Sequence, residues 1–226
     1  MQDVAAALQA VHTRVRVAEE RFGRVPGSVA LLAVTKTRPP EDLRAAFAAG
    51  QRAFGENYVS EALGKMGALE DLAIEWHFIG PVQSNKTRPI AERFAWVHSV
   101  DREKVARRLA EQRPAGLPPL QVCLEVNVSG EESKSGVAPG ELPALARTVV
   151  GLPRLRLRGL MAVPAPGEDF ELQRQAFRSL RELFEGLRAE GLPLDTLSMG
   201  MSGDLEAAVA EGSTLVRVGT AIFGPR

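Results

Sequence analysis

Three features of this sequence could do chemistry together. They are a lysine closing an apolar run, Lys36; an arginine inside another, Arg217; and two turns of small and hydroxyl residues, Ser198-Met199-Gly200-Met201-Ser202-Gly203-Asp204 and Gly219-Thr220. Lys36 follows Leu31-Leu32-Ala33-Val34-Thr35, a stretch that reads as a buried strand. An amine leaving a packed core is partly desolvated, which disfavours its ammonium form and makes it a nucleophile for a carbonyl through a Schiff base. A lysine that merely snorkels out of a strand end gives the same pattern. The two turns can aim backbone amides and hydroxyls at an anion such as a phosphate; the same residues serve equally as plain helix N-caps. Arg217 is costly in an apolar strand unless it meets a partner, either a carboxylate or the ring nitrogen or acid of a ligand. Gln83, Ser84, Asn85, Lys86, Arg88 and Lys134 add polar, partly basic positions. Cys123, the single cysteine, sits in an apolar strand and reads as a buried, inert thiol, and the three histidines have no metal-ligand spacing.

The elements that must position these groups alternate, strand then helix. An N-terminal helix over residues 1–23 is read from Val4, Leu8, Val11 and Val15, recurring at three- and four-residue steps. Strands are expected at 31–36, 52–57, 74–80, 96–100, 120–128, 155–163, 196–199 and 215–220. Helices are expected between them, one capped at its start by Asp101 and one stopped by Gly50. Eight strands joined by helices imply parallel pairing, and eight such units close as a (β/α)8 barrel; a doubly wound open sheet is the alternative. In a barrel every strand's carboxyl end points to one mouth. Lys36, Asn57, the end of the His77-to-Gly80 strand, Asn127, Met161, Ser202 and Arg217 would lie on or near it.

Lysine plus arginine and aspartate plus glutamate are both 28. No basic surplus advertises nucleic acid or an anionic membrane. No apolar run approaches the roughly 20 residues of a membrane span, and no basic-then-apolar leader opens the chain. The expectation is one domain over residues 1–226, in the cytoplasm, with no structural metal.

At this point whole segments match a known family. Ala33-Val34-Thr35-Lys36-Thr37, Phe54-Gly55-Glu56-Asn57-Tyr58 and Trp76-His77-Phe78-Ile79-Gly80-Pro81-Val82-Gln83-Ser84-Asn85-Lys86 belong to the match. So do Ser133-Lys134-Ser135-Gly136, Arg158-Gly159-Leu160-Met161, Leu197-Ser198-Met199-Gly200-Met201-Ser202 and Val216-Arg217-Val218-Gly219-Thr220-Ala221-Ile222-Phe223-Gly224. Together, and nearly end to end, they resemble the pyridoxal phosphate homeostasis protein family, whose barrel is similar to the N-terminal domain of alanine racemase. The resemblance implies that Lys36 holds pyridoxal 5'-phosphate as an internal aldimine and that Arg217 faces the pyridine nitrogen. It also implies that Ser202, Gly219 and Thr220 cradle the phosphate and that Asn57 lines the pocket. Ordinary variation is expected at Thr35 and Thr37, on either side of Lys36.

Arginine at the ring nitrogen, unlike a carboxylate, does not keep that nitrogen protonated, so the ring is a weaker electron sink. Alanine racemases add a second domain and a tyrosine base. Here Tyr58 is the one tyrosine, and only His77 or Lys134 is imaginable as a substitute proton donor. The implied function is a monomeric cofactor carrier that keeps pyridoxal phosphate available to apoenzymes, with little or no turnover. The alternatives are a weak amino-acid racemase and a Schiff-base aldolase acting on a phosphosugar.

Overall fold

The structure, a computed structural model, describes residues 3–130 and 135–225. It opens with α1 (Val4–Arg21), whose apolar face (Val4, Leu8, Val11 and Val15) is buried, and Asp3 caps its start by accepting from the Ala6 N–H. Then come β1 (Ala30–Val34), α2 (Pro40–Ala48), β2 (Ala53–Glu56), α3 (Val59–Ala68) and β3 (Glu75–Phe78). A short 3-10 turn (Ser84–Lys86) leads to α4 (Thr87–Arg93), β4 (Trp96–Val100), α5 (Glu103–Gln112), β5 (Leu120–Glu125) and α6 (Leu142–Val150). The rest is β6 (Leu155–Met161), α7 (Phe170–Ala189), β7 (Thr196–Ser198), α8 (Leu205–Ala210), β8 (Leu215–Val218) and α9 (Thr220–Phe223).

All eight strands pair in parallel with their sequence neighbours, and β8 pairs with β1 to close the barrel. This is the (β/α)8 fold and the extra N-terminal helix expected from the alternation. Closure places Leu32 beside Arg217 and Gly55 beside His77. Successive residues of a strand face opposite sides. One set packs outward against the helices in a large apolar core that takes in Leu31, Phe54, Phe78, Val97, Leu124, Leu160 and Val216. The other set fills the barrel, where Trp96, Cys123 and Met161 form a small separate cluster. Gly159 is required there, because a Cβ would lie 1.7 Å from the Thr196 carbonyl oxygen of the next strand.

Several boundaries differ from the sequence reading. β1 ends at Val34, so Lys36 stands in a turn and not on the strand. Arg102, not Asp101, precedes α5, and Asp101 pairs with the Arg102 side chain at 2.6 Å instead of capping. The last strand stops at Val218 and the chain turns at Gly219 into α9, which apolar periodicity over so few residues does not announce. Among the described residues no helix is long and apolar enough to cross a membrane.

Candidate functional site

The residues singled out in the sequence come from four strands that are contiguous in the closed barrel: β7, β8, β1 and β2. Lys36, Asn57, Ser202, Gly219 and Thr220 each follow the carboxyl end of their strand, and Arg217 lies one residue before the end of β8. They therefore share one mouth.

Lys36 is half-buried in a turn that Arg38 N–H closes on the Thr35 carbonyl. Thr37 beyond it has φ of 64°, a left-handed conformation uncommon for a residue with a side chain. A buried polar cluster holds this turn. Lys65 of α3, 4 % exposed, donates to the Thr35 carbonyl at 2.6 Å, to Glu56 at 2.7 Å and to Glu61 at 2.5 Å. The Thr35 hydroxyl donates to Glu56 at 2.6 Å, and the Thr37 amide donates to Glu61 at 2.5 Å. Desolvation raises the Glu56 pKa, against the pull of Lys65 and Thr35. Thr35 and Thr37 thus make specific contacts on both sides of Lys36. In the sequence, Lys65 reads as an ordinary helix-surface lysine. Its only signal is Glu61 at i−4, which equally suits a solvated pair.

Arg217 is 4 % exposed. Among the described residues it makes no salt bridge to a carboxylate. Nη1 donates to the Ser198 carbonyl at 2.5 Å and to the Ser198 hydroxyl at 2.9 Å, and Nη2 donates to the Ala162 carbonyl at 3.0 Å. A guanidinium has five N–H donors. Among the described residues these bonds take three, leaving the Nε proton and one on Nη2. Burial pulls its pKa down to about 10, with Asp204 and Glu125 acting the other way, so it stays charged at neutral pH.

The loops after β7 and β8 meet: the Ser202 hydroxyl accepts from the Ala221 amide at 3.4 Å. Gly200, at φ of 99°, lets the first loop turn; a Cβ there would meet the Ala208 Cβ at 2.5 Å. Gly219 passes close under β1, where a Cβ would lie 3.1 Å from the Val34 carbonyl oxygen. The N-terminal helix braces the same loop, since Arg14 pairs with Glu206 at 2.9 Å and donates to the Ser202 carbonyl at 3.2 Å.

Asn57 presents a buried side-chain oxygen with no hydrogen-bond partner among the described residues, an acceptor that a bound group would satisfy. Beside it lies a cavity of about 310 Å³ lined in part by Tyr58, Phe78, Gln83 and Lys86, the last two being polar positions noted after β3. Gly80 underlies this region; a Cβ on it would come 2.2 Å from the Asn57 carbonyl oxygen.

Other expectations are corrected. His77 is not on the rim. It is 1 % exposed inside the barrel, between His98 and Glu75, and burial lowers its pKa, which removes it as a proton donor at the mouth. Met161 belongs to the barrel interior. Cys123 is buried as expected, and burial pushes its thiol up to about 12. Lys134 lies outside the described residues. The reading also missed Glu125, the last residue of β5 and 9 % exposed. Burial raises its carboxyl pKa to about 7, with Asp101 adding to the shift and Arg217 opposing it. Its one sequence signal, a charge inside the strand expected at 120–128, does not say whether that charge is buried.

The arrangement offers a lysine on a clamped turn, a buried cation with two unspent donors, and a narrow cradle between two loops. An aldehyde, a heterocycle nitrogen and a phosphate fit those three places.

Comparison with known proteins agrees. The model of the family described as alanine racemase, N-terminal domain, matches residues 7–226. A pyridoxal phosphate homeostasis protein of Pseudomonas aeruginosa is 62% identical over 226 residues, covering 100% of this chain and 97% of the relative. One from Escherichia coli is 51% identical over 229 residues, covering 100% and 98%. The structure of PipY of Synechococcus elongatus with PLP bound superposes with a TM-score of 0.82 at 40% identity, covering 92% of this chain and 98% of PipY. The alanine racemase of Corynebacterium glutamicum, at 19% identity and a TM-score of 0.71, shares the fold over 97% of this chain and 61% of its own. The chain belongs to the family of pyridoxal phosphate homeostasis proteins, built on the N-terminal barrel of alanine racemase.

Proposed function

We propose that this protein binds pyridoxal 5'-phosphate through Lys36 and serves its intracellular homeostasis, keeping the cofactor available to apoenzymes. Residues 1–226 act as one domain, in the cytoplasm and as a monomer, without nucleic acid or membrane. The observation that carries the reading is Arg217: a buried cation satisfied on one side by Ser198 and Ala162, with two donors left over. PLP bound to PipY and the names of the relatives support it.

Bound there, pyridoxal phosphate supplies an aldehyde that condenses with a primary amine. The protein's residues do the rest. Lys36 provides the amine. Lys65 and Glu61 fix the backbone on either side of it, so the segment that carries the amine needs no ordering at capture. Arg217 offers an N–H to the ring nitrogen and, having no proton to give up, leaves that nitrogen unprotonated. Ser202, Gly219 and Thr220 receive the phosphate between two loops whose approach needs the small residues there.

A carrier should transfer its cofactor to an apoenzyme of the pyridoxal phosphate class while leaving free amino acids untouched. The test is activation of such an apoenzyme by the loaded protein, with loss of the α-deuterium from labelled amino acids followed in parallel. Activation without deuterium loss supports the carrier. Deuterium loss that disappears in Glu125→Gln would favour a second reading, slow proton exchange. One observation favours that alternative: a carboxyl near Arg217 that holds a proton close to neutral pH.

A further inference from the structure

An unbroken hydrogen-bond chain runs from Arg217 through the barrel to its opposite face. Arg217 Nη1 is 2.9 Å from Ser198 Oγ, which is 2.8 Å from His98 Nδ1. His98 Nε2 is 2.9 Å from His77 Nδ1, and His77 Nε2 is 2.8 Å from Glu75 Oε1. Ser198, His98 and His77 are at most 1 % exposed. Glu75 opens β3, at the end of the barrel away from Lys36, and its side chain is 52% exposed.

The proton inventory gives this chain one direction. A guanidinium only donates, so Ser198 Oγ accepts from Arg217. A carboxylate only accepts, so His77 carries its proton on Nε2. A neutral imidazole has one N–H, which makes His77 Nδ1 an acceptor and His98 Nε2 the donor to it. His98 Nδ1 then accepts the Ser198 hydroxyl proton, and every polar atom in the line is satisfied. A second proton on His77, at Nδ1, would set donor against donor in its buried link with His98 Nε2. Burial lowers the pKa of both rings, which acts in the same sense; His77 and Arg217 lower that of His98 further.

We propose that Ser198, His98, His77 and Glu75 are positioning residues, a one-way hydrogen-bond chain that orients the Arg217 guanidinium and ties it to a carboxylate at the far face of the barrel. Only the identity of the group that Arg217 meets, the ring nitrogen of pyridoxal phosphate, rests on the reading above. Other titratable and polar groups bear on both ends. Glu125, Asp204 and the Cys123 thiol act on Arg217, while the Trp96 indole N–H and Arg158 act on Glu75. The His77 ring stacks on Trp96 at 5.3 Å between centroids, which holds its plane for the two bonds it makes.

The first test needs no cofactor. Long-range nitrogen–proton spectra of the protein labelled in its three histidines report the tautomer of each ring across the pH range. His77 and His98 are expected to be Nε2–H tautomers that take up no second proton at the ordinary imidazole pKa of 6.5. An Nδ1–H tautomer at either ring, or a second proton taken up at that ordinary pKa, would overturn the proposal. Glu75→Gln keeps an acceptor and should leave both signatures in place. Glu75→Leu removes it and should change the His98 signature although His98 does not touch residue 75; an unchanged His98 there counts against the chain. The second test is pyridoxal phosphate titration of Ser198→Ala, expected to weaken binding about tenfold, the effect of one hydrogen bond to a charged group. Unchanged affinity would also overturn the proposal. If the unaltered protein takes up no pyridoxal phosphate at all, the functional reading fails while the tautomer result stands by itself.

Discussion

Lys36 owes its place to side chains that are remote in sequence. Removing one partner of a buried ion pair leaves the other charge unsolvated, at a cost of about 3–5 kcal/mol. Lys65→Met should therefore lose stability of that order in urea denaturation, and Glu56→Leu in the same chain should restore much of it. Glu125 gives a prediction of opposite character. Its folded-state pKa of about 7 lies above the ordinary 4.5. Between those values the folded protein holds a proton that the unfolded chain has released, so this residue's contribution to stability falls as pH rises through that window. Glu125→Gln should match the unaltered protein below the window and exceed it above, in denaturant titrations at the two ends. Lys36, Arg217 and Ser202 were legible from residue type at strand ends. Lys65 and Glu125 were not, because a charged residue in a helix or closing a strand signals a buried partner only once the neighbouring strand is in place.

At the scale of elements, two glycines separate close approach from mere flexibility. Gly80→Ala drives a Cβ against the Asn57 backbone, which cannot yield as a side-chain tip can, so it should lower the melting temperature and weaken pyridoxal phosphate binding together. Gly64, inside α3, has open space where a Cβ would stand. Gly64→Ala should stabilise the protein by about 0.5–1 kcal/mol through helix propensity and leave cofactor binding unchanged. Strands and helices were largely legible from apolar runs and punctuation by glycine and proline. What failed was local. The Lys36 turn carries a left-handed Thr37 with no glycine to mark it, and α9 is a single turn whose residues read equally well as the end of a strand.

For the whole molecule, closure is what makes the site. β8 beside β1 brings Arg217 and Lys36 to one mouth, although they are far apart in the chain. The alternation of strands and helices made the barrel legible. The inward or outward facing of each residue was harder to assign, and that facing moved His77 from the rim to the interior. His77 and His98, buried and with lowered pKa values, also set a whole-molecule response. Below the ordinary imidazole pKa of 6.5 the unfolded chain takes up protons that the folded barrel refuses, so stability present above that pH is lost as pH falls. A Glu75→Leu protein should lose stability at every pH, since the neutral ring at His77 then lacks an acceptor. The central claim, that Lys36 is the amine that captures pyridoxal phosphate, is tested most directly by borohydride reduction of the saturated protein followed by peptide mapping. A single pyridoxyl group on the peptide containing Lys36, absent from Lys36→Ala, is the predicted result. A label on Lys65, Lys86 or Lys134 with Lys36 unmodified, or no label at all, would contradict it.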